Sequence, residues 1–111
     1  MGKKLQGYVG ETIVLQHYLG SGWTLLEKNY TIPGGEIDLI MGNSQTIIFC
    51  EVKVVDKTDD LMGYITPKKL KALKKTVETY CRKNNVEKDC RLDVIFVKNG
   101  EILQRYEDIY F

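Results

Sequence analysis

Apolar residues first recur at helical spacing. Leu5, Tyr8, Val9, Ile13, Val14, Leu15, Tyr18 and Leu19 return every three or four positions until Gly20-Ser21-Gly22 interrupts them, which predicts a helix over 5–19. Tyr8 and Tyr18 both fit its core-facing side. A strand over 23–30 follows and runs into the turn signal Pro33-Gly34-Gly35. Positions 36–41 and 46–55 are two strand-like runs rich in Ile, Val and Phe, and the short Gly42-Asn43-Ser44-Gln45 link between them predicts an antiparallel hairpin. The polar stretch 56–63 reads as a mobile loop. Thr66 then stands where a helix cap belongs and Pro67 in the first turn. Leu70, Leu73, Val77 and Tyr80 form the stripe of a second helix that stops at Asn84-Asn85. Positions 91–97 read as a buried strand, Asn99-Gly100 as a hairpin turn and 102–105 as its partner, while 106–111 is too short to assign.

Helix, three strands, helix, strand, strand is the pattern of an α/β fold in which a mixed central sheet is flanked by helices. With 111 residues, 43% of them apolar and 28% charged, the chain is expected to form one domain spanning 1–111. No run approaches the roughly 20 apolar residues of a membrane helix, and Met1-Gly2-Lys3-Lys4 leads into a mixed pattern rather than a signal-peptide block. A cytoplasmic protein with no membrane partner is expected. Cys50, Cys81 and Cys90 are odd in number and lack metal-site spacing, so they read as free, partly buried thiols.

A formal net charge of +1 conceals a segregation. Over 66–83, Lys68, Lys69, Lys71, Lys74, Lys75, Arg82 and Lys83 face Glu78 alone, which leaves the rest of the chain acidic. A cationic helix face beside a carboxylate cluster suits a protein that grips phosphate with one surface and holds metal with another. A merely solvated helix face is the plainer reading.

The carboxylates have a register to match. If 43–46 is the loop of the hairpin, Asp38 falls opposite Glu51 and Glu36 opposite Lys53, so four polar groups converge. Facing carboxylates repel unless neutralised, and a divalent cation does this with oxygen ligands of the kind Mg²⁺ prefers. The competing reading is a cross-strand ion pair of Glu36 with Lys53 beside solvated Asp38 and Glu51. Glu11 shares its helix face with Tyr8, Val14, Leu15 and Tyr18, where an unpaired acid is costly. It either pairs with a cation such as Lys53 or serves the metal site through water.

Gly10-Glu11, Gly35-Glu36-Ile37-Asp38-Leu39-Ile40, Phe49-Cys50-Glu51-Val52-Lys53, Thr66-Pro67-Lys68-Lys69 and Arg91-Leu92-Asp93-Val94 follow in order along nearly the whole chain. Together they resemble the YraN-like family of small bacterial proteins. That family is similar to archaeal Holliday-junction resolvases within the restriction-endonuclease-like PD-(D/E)XK nuclease superfamily. The resemblance implies a restriction-endonuclease-like αβββαβ core and an endonuclease dependent on Mg²⁺ (or Mn²⁺) that hydrolyses phosphodiester bonds in DNA, branched or structured DNA included. It implies Asp38 and Glu51 as metal ligands with the Val52 carbonyl as a third, Lys53 as catalytic lysine and Glu11 as an auxiliary catalytic acid. Lys69 matches a lysine that opens the second helix in that family. Leu70 and Val55 stand where the family often carries Gln and Arg.

On this reading Lys68, Lys69, Lys71 and Lys75 bind nucleic acid, and cutting both strands of a duplex would call for a homodimer. A binding or scaffolding module that keeps a nuclease fold without turnover is the alternative. His17, the only histidine, has no second ligand at metal spacing, and Asp93 beside Arg91 reads as a structural ion-pair partner.

Overall fold

A computed structural model describes residues 3–56 and 60–109. Lys57, Thr58 and Asp59, inside the expected 56–63 loop, lie outside the described residues, as do the two residues at either end of the chain. The elements are α1 (Lys3–Gly20), β1 (Thr24–Ile32), β2 (Gly35–Gly42), β3 (Thr46–Val54), a 3₁₀ turn (Leu61–Tyr64), α2 (Pro67–Lys83), β4 (Asp89–Lys98) and β5 (Glu101–Tyr106). α2 begins as its sequence dictates, because the Thr66 hydroxyl accepts the Lys69 backbone N–H at 3.1 Å and Pro67 occupies the first turn.

Five strands lie in the order β1-β2-β3-β4-β5, antiparallel except for the β3–β4 pair, which is parallel. Parallel neighbours need a long crossover, and α2 lies within it. Alternation along the strands then supplies two apolar faces. Ile48 and Cys50 pack with Val14 and Tyr18 of α1, while Ile47 and Phe49 pack with Leu73, Val77 and Tyr80 of α2. The sheet is thus sandwiched between the helices.

Two sequence expectations change. Tyr8 is 51% exposed, and Leu5, Val9 and Leu19 are exposed too, because α1 docks on the sheet through Gly10, Val14 and Tyr18, with Ile13 and Leu15 at the edge of the contact. The last residues of the expected 56–63 loop, Leu61 to Gly63, instead begin the 3₁₀ turn, whose Leu61 is buried against Val55, Val94 and Phe96. The thiols are free and at least partly buried as expected, and Cys81 and Cys90, separated by a helix end and a loop, bring their sulfurs to 3.5 Å.

The β2–β3 hairpin positions the site. Gly42 pairs with Ile47 and Leu39 with Cys50, so 43–46 is the loop and the expected register holds. The Asn43 side-chain oxygen fixes it by accepting the backbone N–H groups of Gln45 and Thr46, each at 2.8 Å. Beyond Leu39 and Cys50 the ladder ends, and Asp38 places a carboxylate oxygen 2.8 Å from the Val52 N–H. Asn29, opposite Asp38 in the β1–β2 register, has φ 51°, a left-handed conformation that Asn tolerates better than most residues. Ile37 and Ile40 both join the α2-side cluster while Leu39 and Met41 join the α1 side, so alternation slips at this kink.

Gly35, where β2 begins, lies against α2. A Cβ there would come within 2.1 Å of the Thr76 hydroxyl and 3.0 Å of the Ala72 carbonyl, which are hydrogen-bonded to each other within the helix. Backbone cannot give way cheaply. Gly35→Ala is therefore expected to destabilise the fold by about 1–3 kcal/mol, as overpacking does. Urea unfolding checks this, and an unchanged midpoint would contradict the close approach.

Candidate metal centre and phosphate surface

The open end of the β2–β3 hairpin gathers the acidic residues. Glu51 on β3 is buried at 7% exposure, on the same side as Phe49 and facing α2. Its Oε2 lies 2.6 Å from the Lys69 ammonium, and its Oε1 is buried without a hydrogen-bond partner. Asp38 on β2 reaches the same space. Burial raises the Glu51 pKa most, the neighbouring Asp38 carboxylate raises it further, and Lys69 opposes them. Burial lowers the Lys69 ammonium, yet its bond to Glu51 and the charges of Glu51, Asp38 and Glu36 prevail and raise it. These two shifts pull opposite ways on one ion pair. Both have one cause: one ammonium is too little to neutralise the carboxylates around it.

Glu11 reaches the site from α1. Gly10 makes this possible, since a Cβ there would come within 2.7 Å of a Val54 methyl. Burial and then the charge of Asp38 raise the Glu11 pKa, against Lys28, and its Oε1 too is buried without a partner. Two cavities of about 380 and 320 Å³ share Asp38, Val52, Lys53 and Tyr64 in their walls. Glu11 lines the first and Glu51 and Lys69 the second.

Lys53 is exposed, with its ammonium 5.5 Å from the centroid of the Tyr64 ring, within cation–π range. The Glu36–Lys53 ion pair of the competing reading is not among the ion pairs of the described residues. Lys68, Lys71 and Lys75 are exposed on α2. Lys69, grouped with them from the sequence, instead turns its ammonium to Glu51. Tyr64, 42% exposed at the cavity mouth, had no sequence signal because it follows a stretch read as polar loop. Asp93 is a buried structural partner as expected, accepting Arg91 Nε at 3.0 Å, the Tyr18 hydroxyl at 2.7 Å and the Asp108 N–H at 3.0 Å.

Do these residues suit a divalent ion? Among the described residues no group of three His, Cys, Asp or Glu side chains is close enough to hold one unaided. Two carboxylates and a backbone carbonyl, with water for the rest, form the sparse oxygen set that Mg²⁺ accepts. The unpartnered Glu51 and Glu11 oxygens fit such a shell, because buried acceptors left unsatisfied are costly. The donor set is compatible.

A carboxyl whose folded pKa is raised contributes stability at low pH that is lost as pH rises from its unfolded value, near 4.5 for Glu51, through its raised one. The metal-free protein should therefore melt at lower temperature at pH 9 than at pH 5. Glu51→Gln should flatten that slope, and a slope identical to the parent's would refute the assignment.

A small α/β protein with acids converging at an opened hairpin belongs to a definable family. Residues 10–97 match the model of the uncharacterised protein family UPF0102, and the chain is a member of it. A UPF0102 protein of Shewanella sediminis is 35% identical over 98 residues, covering 86% of this chain and 84% of the relative. One from Campylobacter jejuni is 33% identical over 107 residues, covering 96% and 95%. One from Neisseria meningitidis is 38% identical over 99 residues, covering 86% and 85%. No helix of the described residues is long and apolar enough to cross a membrane.

Proposed function

We propose that the chain is a metal-dependent nuclease of the restriction-endonuclease-like class that binds DNA, branched or structured DNA included, and hydrolyses phosphodiester bonds. The observation that carries the reading is the pair of buried, unpartnered carboxylate oxygens on Glu51 and Glu11, either side of Asp38. Asp38, Glu51 and the Val52 carbonyl would hold Mg²⁺ or Mn²⁺. Bound there, the ion supplies charge neutralisation at the phosphoryl group and an acidified water. Asp38 is held for this task by the Val52 N–H. Lys53 extends into the cavity wall beside Tyr64, where its ammonium stabilises charge building on the phosphate and orients the attacking water. Glu11, whose burial raises its pKa and so makes its carboxylate a better base, accepts a proton from water on the α1 side.

Lys68, Lys71 and Lys75 line the exposed side of α2 and hold the backbone of the nucleic acid. Replacing all three with Ala should flatten the dependence of log affinity on log salt by about 2–3 for duplex DNA. Filter binding across salt concentrations checks it, and an unchanged slope would place the phosphate surface elsewhere. Cutting both strands of a duplex requires two sites, so a homodimer is part of the proposal. A monomeric mass by light scattering in the presence of DNA would remove it.

The second reading is a nucleic-acid-binding or scaffolding module without turnover, favoured by the lack of a third close carboxylate among the described residues. One experiment separates the two. Linear, single-stranded and four-way-junction DNA are incubated with the protein, Asp38→Asn and Lys53→Ala, with Mg²⁺, Mn²⁺ or chelator. Metal-dependent cleavage lost in both variants supports the nuclease, whereas retardation without cleavage supports the module. Cleavage persisting in both variants would contradict the proposed site.

A further inference from the structure

We propose that Lys69 is a placeholder for the divalent ion: its ammonium occupies Glu51 while the site is metal-free and is displaced toward the substrate phosphate when the ion binds. This rests on the metal site proposed above and adds how that site is kept intact and then switched.

Several observations converge on Lys69. Its Nζ lies 2.6 Å from Glu51 Oε2, the position of a counter-ion rather than of a phosphate grip. The other Glu51 oxygen is buried and has no partner, so the ammonium satisfies only half of the carboxylate. The Lys69 side chain is 44% exposed, and its backbone is pinned by the Thr66 cap. The helix start therefore stays fixed while four methylenes swing a charge from one partner to another. The neighbours of the vacated position are suitable. Lys68 and Lys71 are exposed beside it on α2, so a released Lys69 would extend the cationic strip toward the cavity.

Electrostatics makes the two cations exclude each other. A divalent ion bound to Glu51 would sit within a few ångströms of an ammonium on the same carboxylate, at a place already partly dehydrated. Without either cation Glu51 and Asp38 would face each other unneutralised beneath α2. The ammonium keeps the hairpin end open and in register, and a phosphate arriving with the ion provides a new partner for it.

Calorimetric titration of Mn²⁺ into the full chain without nucleic acid tests this on the parent, Lys69→Met and Lys69→Arg. Removing the competing charge should tighten Mn²⁺ binding about tenfold in the Met variant, because a larger fraction of sites is free to accept the ion, while Arg stays near the parent. Equal or weaker binding by the Met variant, confirmed as folded by circular dichroism, overturns the placeholder and leaves the metal site standing. Failure of the parent and both variants to bind Mn²⁺ overturns the metal site itself. A measurement on the parent alone avoids any folding defect. Acetylation of Lys69 relative to Lys68, read by mass spectrometry, should rise severalfold on adding Mg²⁺, and an unchanged ratio contradicts displacement.

Discussion

Asn in place of Asp38 is expected to abolish the proposed metal-dependent cleavage while leaving the metal-free protein as stable as the parent or more so. The Asn side-chain oxygen can keep the hydrogen bond from the Val52 N–H, so the local backbone has no reason to move. What disappears is a charge. Asp38 is the second-largest influence raising Glu51 after burial itself, so its neutralisation relieves a repulsion worth a few tenths to about 1 kcal/mol between facing carboxylates in a sheet. The same change removes one of the two side-chain oxygen ligands of the proposed metal site. Outer partners of a metal site already cost about 10–100-fold in affinity or activity, and loss of a direct ligand should exceed that. Thermal scans with and without Mn²⁺ then give a distinctive signature: a higher metal-free melting temperature and little metal-induced rise. A variant that melts lower without metal, yet still gains as much from Mn²⁺ as the parent, would mean that Asp38 is a structural acceptor only.

The second large effect lies away from the site. Asp93→Ala is expected to destabilise the protein by about 3–5 kcal/mol, the cost of removing one partner from a buried ion pair. Asp93 is fully buried on β4, and its carboxylate takes two bonds from the Arg91 guanidinium, at 3.0 Å each, with the Tyr18 hydroxyl of α1 and the Asp108 N–H. It joins α1, the sheet and the segment after β5 in one junction. Truncation leaves Arg91 partly buried with Glu107 at 3.9 Å and the Trp23 ring at 5.7 Å as its remaining neighbours, and strands the Tyr18 hydroxyl inside the core. Tyr18→Phe, which deletes one bond to a charged acceptor, should cost only about 1.5–3 kcal/mol. Chemical denaturation ranks the two. A loss below about 1 kcal/mol for Asp93→Ala would mean that water replaces the carboxylate, contrary to its burial.

The hairpin register was readable because local turn chemistry sets it. Asn43 can fold its own side chain over a turn and so fixes the loop at 43–46, whereas Ile47, Ile48, Phe49 and Cys50 are buried on both faces and do not choose a register by themselves. The α2 cap was readable for a similar reason. What the sequence concealed lies in tertiary geometry. Opposed pairing of Asp38 with Glu51 implied a continuous ladder, whereas the Asp38 carboxylate takes the Val52 N–H and the strands part there. Helical spacing could not separate the half of α1 that docks from the half bearing Tyr8 and Leu5, because both are apolar. Lys69 belongs by composition to a cationic face, and only the direction of its side chain assigns it to Glu51. Tyr64 and the Cys81–Cys90 pair follow from loops whose path no periodicity encodes.

The most direct test of the account is anomalous diffraction from crystals of the protein soaked in Mn²⁺. One peak is expected between the carboxylates of Asp38 and Glu51, about 2.0–2.2 Å from an oxygen of each, close to the distances of hard cations on carboxylates. An ion held elsewhere, or none at a Mn²⁺ concentration that raises the melting temperature, would contradict it.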